Sequence, residues 1–169
     1  MASQLVSPSG RVLAIEPSVA VAGQLRENVQ ASGLTNVLIE EVACDDEERD
    51  ATLFIQTSLA SANVTGARPM TVHCTTLDSL LVKYSIDRVR LVKIDVEGAE
   101  LSVLRGAQGM LKNARPLIVL ELEPPPLASF GVSMNEVERF LRQFDYRVVP
   151  MAGHANFLAQ PESRSGTSN

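Results

Sequence analysis

Short apolar runs alternate with amphipathic stretches in the first half of the chain. Four of these runs have the length and composition of β-strands: 11–16, 37–42, 51–57 and 70–74. After the first run, Pro17 and Ser18 open a predicted helix that Gly33 ends as a left-handed cap. The inner face of this helix is predicted to carry Val21, Ala22, Leu25 and Val29. A short helix is predicted near residues 77–84, and the acidic stretch 45–50 and the stretch 58–68 are predicted to be loops.

The second half of the chain repeats this alternation. Strands are predicted at 91–95 and 116–123, both buried, and three prolines stop the second one. Between them lies a predicted helix, weakened at Gly106 and Gly109. Ser133 and Glu136 have the spacing of a capping box ahead of another helix. The closing strands are predicted at 146–149 and 156–159, as a hairpin around Gly153.

Strands that alternate with helices predict an α/β protein with a mostly parallel sheet that helices cover on both faces. The 169 residues suit one domain, which we place at 1–160, followed by a disordered tail at 161–169. A net charge of −5 argues against nucleic acid as a partner. No signal peptide and no apolar run of the roughly 18 residues that cross a bilayer are visible. We therefore expect a cytoplasmic protein with no membrane partner.

Carboxylates follow the strand predicted at the centre of the chain. Asp95 and Glu97 come just before Gly98, and in open α/β sheets ligands bind outside the carboxyl ends of parallel strands. These two acids are candidates for electrostatic stabilisation or for a general base. Alternatively, Lys93 pairs with one of them, and Glu97 or Glu100 only favours a helix N-terminus. For Glu100 that structural role is the preferred interpretation, and Gly98 is expected to allow a close backbone approach.

Other strands also end in acids. Glu16 closes the first strand, where a carboxylate in nucleotide-binding sheets accepts hydrogen bonds from both ribose hydroxyls, and a solvated acid is the alternative. Glu121 and Glu123 point to the same side of their strand. With Asp95 they could form an acidic cluster that holds a divalent cation or deprotonates a hydroxyl, or they could be surface acids. We assign no metal site, because the cluster is inferred from strand order alone.

The cysteines and histidines give weaker signals. Cys44 and Cys74 do not form a disulfide framework, which suits a reducing compartment. Cys44 could line a cofactor pocket, although a small buried thiol is the usual role. His73 lies within a strand and is interpreted as structural, whereas His154 is a minor candidate for contact with a substrate.

These residues carry a family resemblance. The stretch Lys-Ile-Asp-Val-Glu-Gly-Ala-Glu at 93–100, with Val-Leu-Arg-Gly-Ala at 103–107, closely resembles the signature of the FkbM family of S-adenosylmethionine-dependent methyltransferases. Residues 8–17 resemble the second strand of that family and its acidic ribose ligand, and 75–80 and 117–124 match later segments in order and spacing. The resemblance covers about residues 3–150. It implies a Rossmann-like class I methyltransferase sheet and methylation of a hydroxyl, on a sugar or a natural-product-like small molecule.

The resemblance also assigns roles by position. It implies a cofactor site in which Glu16 binds the ribose, Asp95 lies beside the transferring methyl, and the adenine is flanked by Ala43, Cys44 and Asp45. Among the acids, Asp95 is the first candidate for taking or orienting the proton of the acceptor hydroxyl. Glu121 and Glu97 are the other catalytic candidates.

The start of the chain departs from the family's pattern. Family members begin with a strand, a glycine-rich loop and a helix, whereas Met1 falls within that helix and no glycine-rich loop precedes Glu16. We therefore expect a domain without its first, central strand. A nicotinamide-dependent oxidoreductase would also use Glu16, but it needs a Gly-x-Gly-x-x-Gly turn that is equally absent. The other alternative is a catalytically inactive remnant or partner-binding module, which predicts no cofactor binding.

Overall fold

The computed structural model describes residues 2–6, 9–56, 67–152 and 155–163. It shows an α/β protein, as predicted, with two compact units. The first unit lies within residues 1–44 and 48–75, and the second within 45–47 and 76–169. Some predictions lie outside the described residues: most of the loop 58–68, the hairpin turn at Gly153, His154, and the tail from residue 164.

The first unit contains two helices and five strands in the part of the chain that the structure describes. In chain order they are α1 (Ala2–Leu5), β1 (Val12–Ile15), α2 (Val19–Ala31), β2 (Val37–Glu40), β3 (Ala43–Cys44), β4 (Arg49–Gln56) and β5 (Ala67–Thr75). β1 and β2 pair in parallel. β5 lies between β3, its parallel partner, and β4, its antiparallel partner. The four predicted strands of the first half are therefore confirmed, but β4 and β5 begin inside the two stretches that we predicted to be loops, and β3 was not predicted.

Helix α2 begins and ends as predicted. The Ser18 side chain accepts a hydrogen bond from the Val21 amide at 3.4 Å, and Gly33 has a φ of +64° beyond the helix. The predicted inner face is right for Ala22, which is fully buried, and wrong for Val21, which is 46% exposed. Adjacent residues of a helix lie about 100° apart around its axis, so a narrow apolar stripe that includes Ala22 leaves Val21 outside it.

The second unit contains the remaining helices and one sheet. In chain order its elements are α3 (Leu77–Lys83), β6 (Leu91–Ile94), α4 (Glu100–Arg105), α5 (Gln108–Asn113), β7 (Leu117–Glu121), α6 (Pro124–Ser129), α7 (Met134–Arg142), β8 (Tyr146–Pro150) and β9 (Asn156–Pro161). The strands lie in the order β6-β7-β9-β8. β6 and β7 are parallel, whereas β9 is antiparallel to both β7 and β8. Because β9 continues to Pro161, the predicted tail does not begin there.

Parallel and antiparallel pairs are equally frequent among the described strands, which differs from the mostly parallel sheet that we predicted. The antiparallel pairs β4–β5 and β8–β9 join strands that follow one another with no helix in the described residues between them. Such neighbours can pair through a hairpin, whereas a parallel pair needs a longer crossover. The hydrophobic pattern gives the strands but not the direction in which they pair.

The core of the second unit surrounds β7. Residues with 1% exposure or less include Leu104, Leu111, Ile118, Leu120, Leu122, Leu127, Val137, Leu141 and Ala159. β6 is not the fully buried strand that we predicted, because Leu91 is 60% exposed and, of its four residues, only Ile94 is buried. Among the described residues β6 pairs only with β7, and a strand at a sheet edge keeps more of its surface in water.

Gly106 and a run of three prolines shape the helices of this unit. The weakened helix is in fact two helices, α4 and α5, and a Cβ at Gly106 would collide with the carbonyl oxygen of Asp45. Asp45 is accordingly buried, although we predicted it in a solvated loop. The prolines after Glu123 do more than stop β7, because they begin α6, where a missing amide proton costs nothing. No helix within the described residues has the length and apolarity needed to span a bilayer.

Candidate functional site

The carboxyl ends of β6 and β7 form a pocket lined by acids. The two strands pair in parallel with Ile94 opposite Leu120, so Asp95 and Glu121 follow at the same edge of the sheet. A cavity of about 60 Å³ lies there, and its lining residues are Asp95, Glu97, Gly98, Glu100, Glu121, Glu123 and Pro126. The structure thus brings together the acids that the sequence placed at two strand ends.

Electrostatic contacts couple three residues at this edge. Lys93 donates a hydrogen bond from Nζ to Asp95 Oδ2 at 2.5 Å, a pairing that the sequence analysis gave as the structural alternative for one of the two acids. This bond raises the pKa of Lys93 above its ordinary value. The negative charge of Asp95, together with a hydrogen bond between the two carboxyl groups, raises the pKa of Glu121. A carboxylate with a raised pKa holds a proton more readily, so this edge of the sheet can accept one.

A left-handed turn links β6 to α4. Glu97 has a φ of +53° and Gly98 a φ of +108°. A Cβ at Gly98 would collide with the Pro126 carbonyl oxygen and would lie 2.8 Å from the Phe130 ring. The expectation that Gly98 permits a close backbone approach is therefore confirmed. Pro126 also lines the acidic pocket, and Phe130, which is 55% exposed, lies next to Gly98.

Glu100 has a role that the sequence interpretation missed. Its side chain is 1% exposed, and its Oε1 accepts hydrogen bonds from the amides of Gly98 at 3.1 Å and Val96 at 3.4 Å. We had interpreted Glu100 as an acid that only favours a helix N-terminus. The spacing contained a signal, because positions 100, 103, 104 and 107 form one helical face and the other three residues on it are apolar. A carboxylate on such a face is expected to be buried.

The other proposed cofactor residues are divided between the two units. Glu16, Ala43 and Cys44 belong to the first unit, whereas Asp45 and Asp95 belong to the second. Glu16 follows β1, and its Oε1 accepts a hydrogen bond from the Ser18 amide at 2.8 Å. Ala43 and Cys44 form β3 and are half-buried. Asp45 Oδ1 accepts a hydrogen bond from the Asp46 amide at 2.9 Å.

His73, another polar candidate, pairs with an acid on the neighbouring strand. His73 and Asp50 are cross-strand partners on β5 and β4, with His73 Nδ1 3.2 Å from Asp50 Oδ1 on an exposed surface. This pairing agrees with the structural role that we expected for His73. Across the described parts of the chain, no three Asp, Glu, His or Cys side chains are arranged to hold a metal ion.

Comparison with known proteins gives a family match and a structural match. The model of the methyltransferase FkbM domain family matches residues 1–148. The fold is similar to the crystal structure of methyltransferase FkbM from Methylobacillus flagellatus KT, with a TM-score of 0.60 and 15% identity over 89% of this chain. The chain spans 36% of the length of that protein. No curated protein matches the chain.

Proposed function

The chain belongs to the FkbM methyltransferase domain family, and from that premise we propose that it is an S-adenosylmethionine-dependent methyltransferase. The proposed acceptor is a hydroxyl of a sugar or a natural-product-like small molecule. The observation that carries the proposal is the acidic pocket at the carboxyl ends of β6 and β7. It is formed in part by the Asp-Val-Glu-Gly-Ala-Glu stretch at 95–100, and strand ends of this kind are where α/β sheets bind ligands.

The side chains present suit this cofactor. S-adenosylmethionine would supply a methyl group on a positively charged sulfur. Asp95, Glu97 and Glu121 surround the pocket with negative charge, which favours a cation there. In the other unit, the Ser18 amide holds Glu16 through Oε1, and this bond orients the carboxylate for a ribose hydroxyl. We assign the adenine contacts to Ala43, Cys44 and Asp45.

The chain contributes to the reaction chiefly by holding groups in place and by taking up a proton. Methyl transfer is an in-line displacement, which positioning of donor and acceptor accelerates. Asp95 accepts or orients the hydroxyl proton, and Glu121, which lies next to it, is the second group for that proton. Lys93 orients the Asp95 carboxylate at the pocket, because its ammonium group donates a hydrogen bond to Asp95 Oδ2. Glu97 adds negative charge beside these groups.

A second candidate function is a binding module without catalysis. Within the described residues β1 pairs only with β2, and β6 pairs only with β7. Each strand therefore has an open edge that offers backbone donors and acceptors to a further strand. We infer that the Rossmann-like sheet of this family would have its central strand at such an edge. If a partner protein paired a strand with such an edge, the chain would act as a module of a larger assembly.

Calorimetric titration of the chain with S-adenosylmethionine tests the proposal, with NAD⁺ as the comparison ligand. We expect saturable binding of S-adenosylmethionine alone. Glu16→Gln should weaken that binding about tenfold, because it removes a charged hydrogen-bond acceptor for the ribose. Glu27→Gln makes the same chemical change on the exposed surface of α2 and should leave the affinity unchanged. Release of S-adenosylhomocysteine with hydroxylated small molecules then measures methyl transfer. Absence of cofactor binding would instead favour the binding module, and binding of NAD⁺ would favour the oxidoreductase.

A further inference from the structure

Glu100 is a charged side chain in a place where charge is costly. It is 1% exposed and is the one charged residue among the largest fully buried side chains of the described chain. Transferring a carboxylate out of water costs free energy unless hydrogen bonds compensate for the lost hydration. The bonds that Glu100 makes therefore indicate what its burial achieves.

Both of its hydrogen bonds go to the turn between β6 and α4. Oε1 accepts from the amides of Val96 and Gly98, which lie on either side of Glu97. Glu97 has a positive φ, a backbone conformation that residues with a Cβ rarely adopt. The neighbouring Gly98 also has a positive φ. Such a turn persists only when its surroundings hold it.

Two sets of contacts hold the turn. Glu100 accepts hydrogen bonds from its amides, and the backbone carbonyl of Pro126 in α6 lies so close to Gly98 that a Cβ there would collide with it. Asp95 lies immediately before the turn and Glu97 within it, and both line the acidic pocket. The position of these two carboxylates thus depends on the turn that Glu100 holds.

We propose that Glu100 is a positioning residue, which sets the places of Asp95 and Glu97 at the pocket by holding the Val96–Gly98 turn through Oε1. The effect of this positioning on methyl transfer rests on the proposed function, whereas the stabilisation of the turn by Glu100 does not. The competing interpretation is that Glu100 acts through its charge alone, as an acid in the first turn of α4.

Two substitutions separate these interpretations. Glu100→Gln keeps an oxygen at the Oε1 position but removes the charge. Glu100→Asp keeps the charge but shortens the side chain by one methylene, so that it no longer reaches both amides. If Glu100 holds the turn through Oε1, Glu100→Asp should loosen the turn and Glu100→Gln should leave it nearly unchanged. If charge at the helix N-terminus is what matters, the order is reversed.

Hydrogen exchange of the Gly98 amide reads the turn directly. We expect exchange to accelerate about tenfold in Glu100→Asp and less than about threefold in Glu100→Gln, relative to the unsubstituted chain. Leu104→Ala, a cavity variant in the core of the same helix, controls for a general loss of stability. Equal exchange in Glu100→Asp and the unsubstituted chain would overturn the proposal. So would Gly98 exchange in Leu104→Ala as fast as in Glu100→Asp.

Kinetics provide the second measurement. If the chain transfers methyl groups, Glu100→Asp should lower kcat about tenfold with little change in the KM for S-adenosylmethionine, and Glu100→Gln should recover most of kcat. Recovery by Asp and not by Gln would contradict the positioning role. If no variant transfers methyl groups while Gly98 exchange changes as expected, the proposed function fails and the hold on the turn stands.

Discussion

Asp95 and Glu121 place two carboxyl groups side by side at the ends of adjacent parallel strands. Lys93 forms its hydrogen bond with Asp95, which leaves Glu121 next to a negative charge. Two neighbouring carboxyl groups resist full ionisation, so the second proton is lost only at a higher pH. Glu121 therefore keeps its proton to a higher pH than an isolated surface acid does.

This arrangement predicts a pH-dependent effect of Glu121→Gln. The pKa of Glu121 in the folded chain lies above its ordinary value of 4.5, so the folded state binds the proton more tightly than the unfolded state. Protonated Glu121 therefore stabilises the folded state, and this contribution is present below pH 4.5 and is lost as the pH rises through the pKa of Glu121 in the folded chain. Glu121→Gln removes the repulsion with Asp95 and should give a small increase in Tm at pH 7. That increase should shrink as the pH falls to 4.

Thermal unfolding between pH 4 and pH 7 measures this difference. Glu27→Gln provides the matched control, because Glu27 is exposed on α2 and lies outside the acidic pocket. A Tm difference for Glu121→Gln that does not change with pH would show that repulsion between the two carboxyl groups has no part in stability.

Two helices of the second unit show what a sequence can reveal about helix ends. α7 is capped locally, with Glu136 Oε2 accepting from the amide and hydroxyl of Ser133, both at 2.8 Å. The capping box was predicted, because the two residues are three positions apart. The N-terminus of α5 is instead capped by Asp78, which is more than 30 positions away in the sequence. No local pattern could have predicted that contact.

Removal of the distant cap should destabilise the chain measurably. Asp78 accepts hydrogen bonds from the amides of Gly109 at 2.6 Å and Met110 at 2.9 Å. Asp78→Ala leaves both amides without this acceptor, and we expect a loss of about 1–2 kcal/mol in the free energy of unfolding. Urea unfolding measures the loss, with exposed Asp87→Ala as the control. Equal unfolding midpoints for the two variants would contradict the assigned role.

The strands of the candidate site likewise combine features that the local sequence predicts with features that depend on distant parts of the chain. Apolar runs predicted β6 and β7, and the acids after them predicted a cluster at one edge, where Asp95 and Glu121 now lie together. The exposure of Leu91 was not predicted, because it depends on β6 lying at the edge of its sheet. Strand order is set by long-range pairing, which a single sequence does not display.

At the scale of the whole chain, the fold class and family were accessible from the sequence because they rest on alternation and on one contiguous motif. The direction of strand pairing was not predicted, since it depends on tertiary contacts, whereas the burial of Glu100 was missed although its helical spacing contained a signal for it. Arg115 gives the clearest example of a tertiary contact that the sequence did not reveal, because no motif identified this residue. Its guanidinium donates hydrogen bonds to the carbonyl oxygens of Phe144 and Glu162, both at 2.9 Å. It thereby connects segments up to 47 positions apart.

Arg115 should therefore contribute to the stability of the whole second unit. Arg115→Lys keeps the charge but loses the planar fork that reaches two carbonyl oxygens at once. Hydrogen bonds from a charged group contribute about 1.5–3 kcal/mol, and partial solvent exposure here favours the lower end, so we expect a loss of about 1–2 kcal/mol in urea unfolding. Arg147→Lys makes the same change at an exposed position of β8 and should have little effect.

Because the carbonyl oxygens belong to residues on either side of the hairpin, amide exchange in both β8 and β9 should accelerate together in Arg115→Lys. Acceleration in one strand alone would show that the guanidinium supports only a local turn.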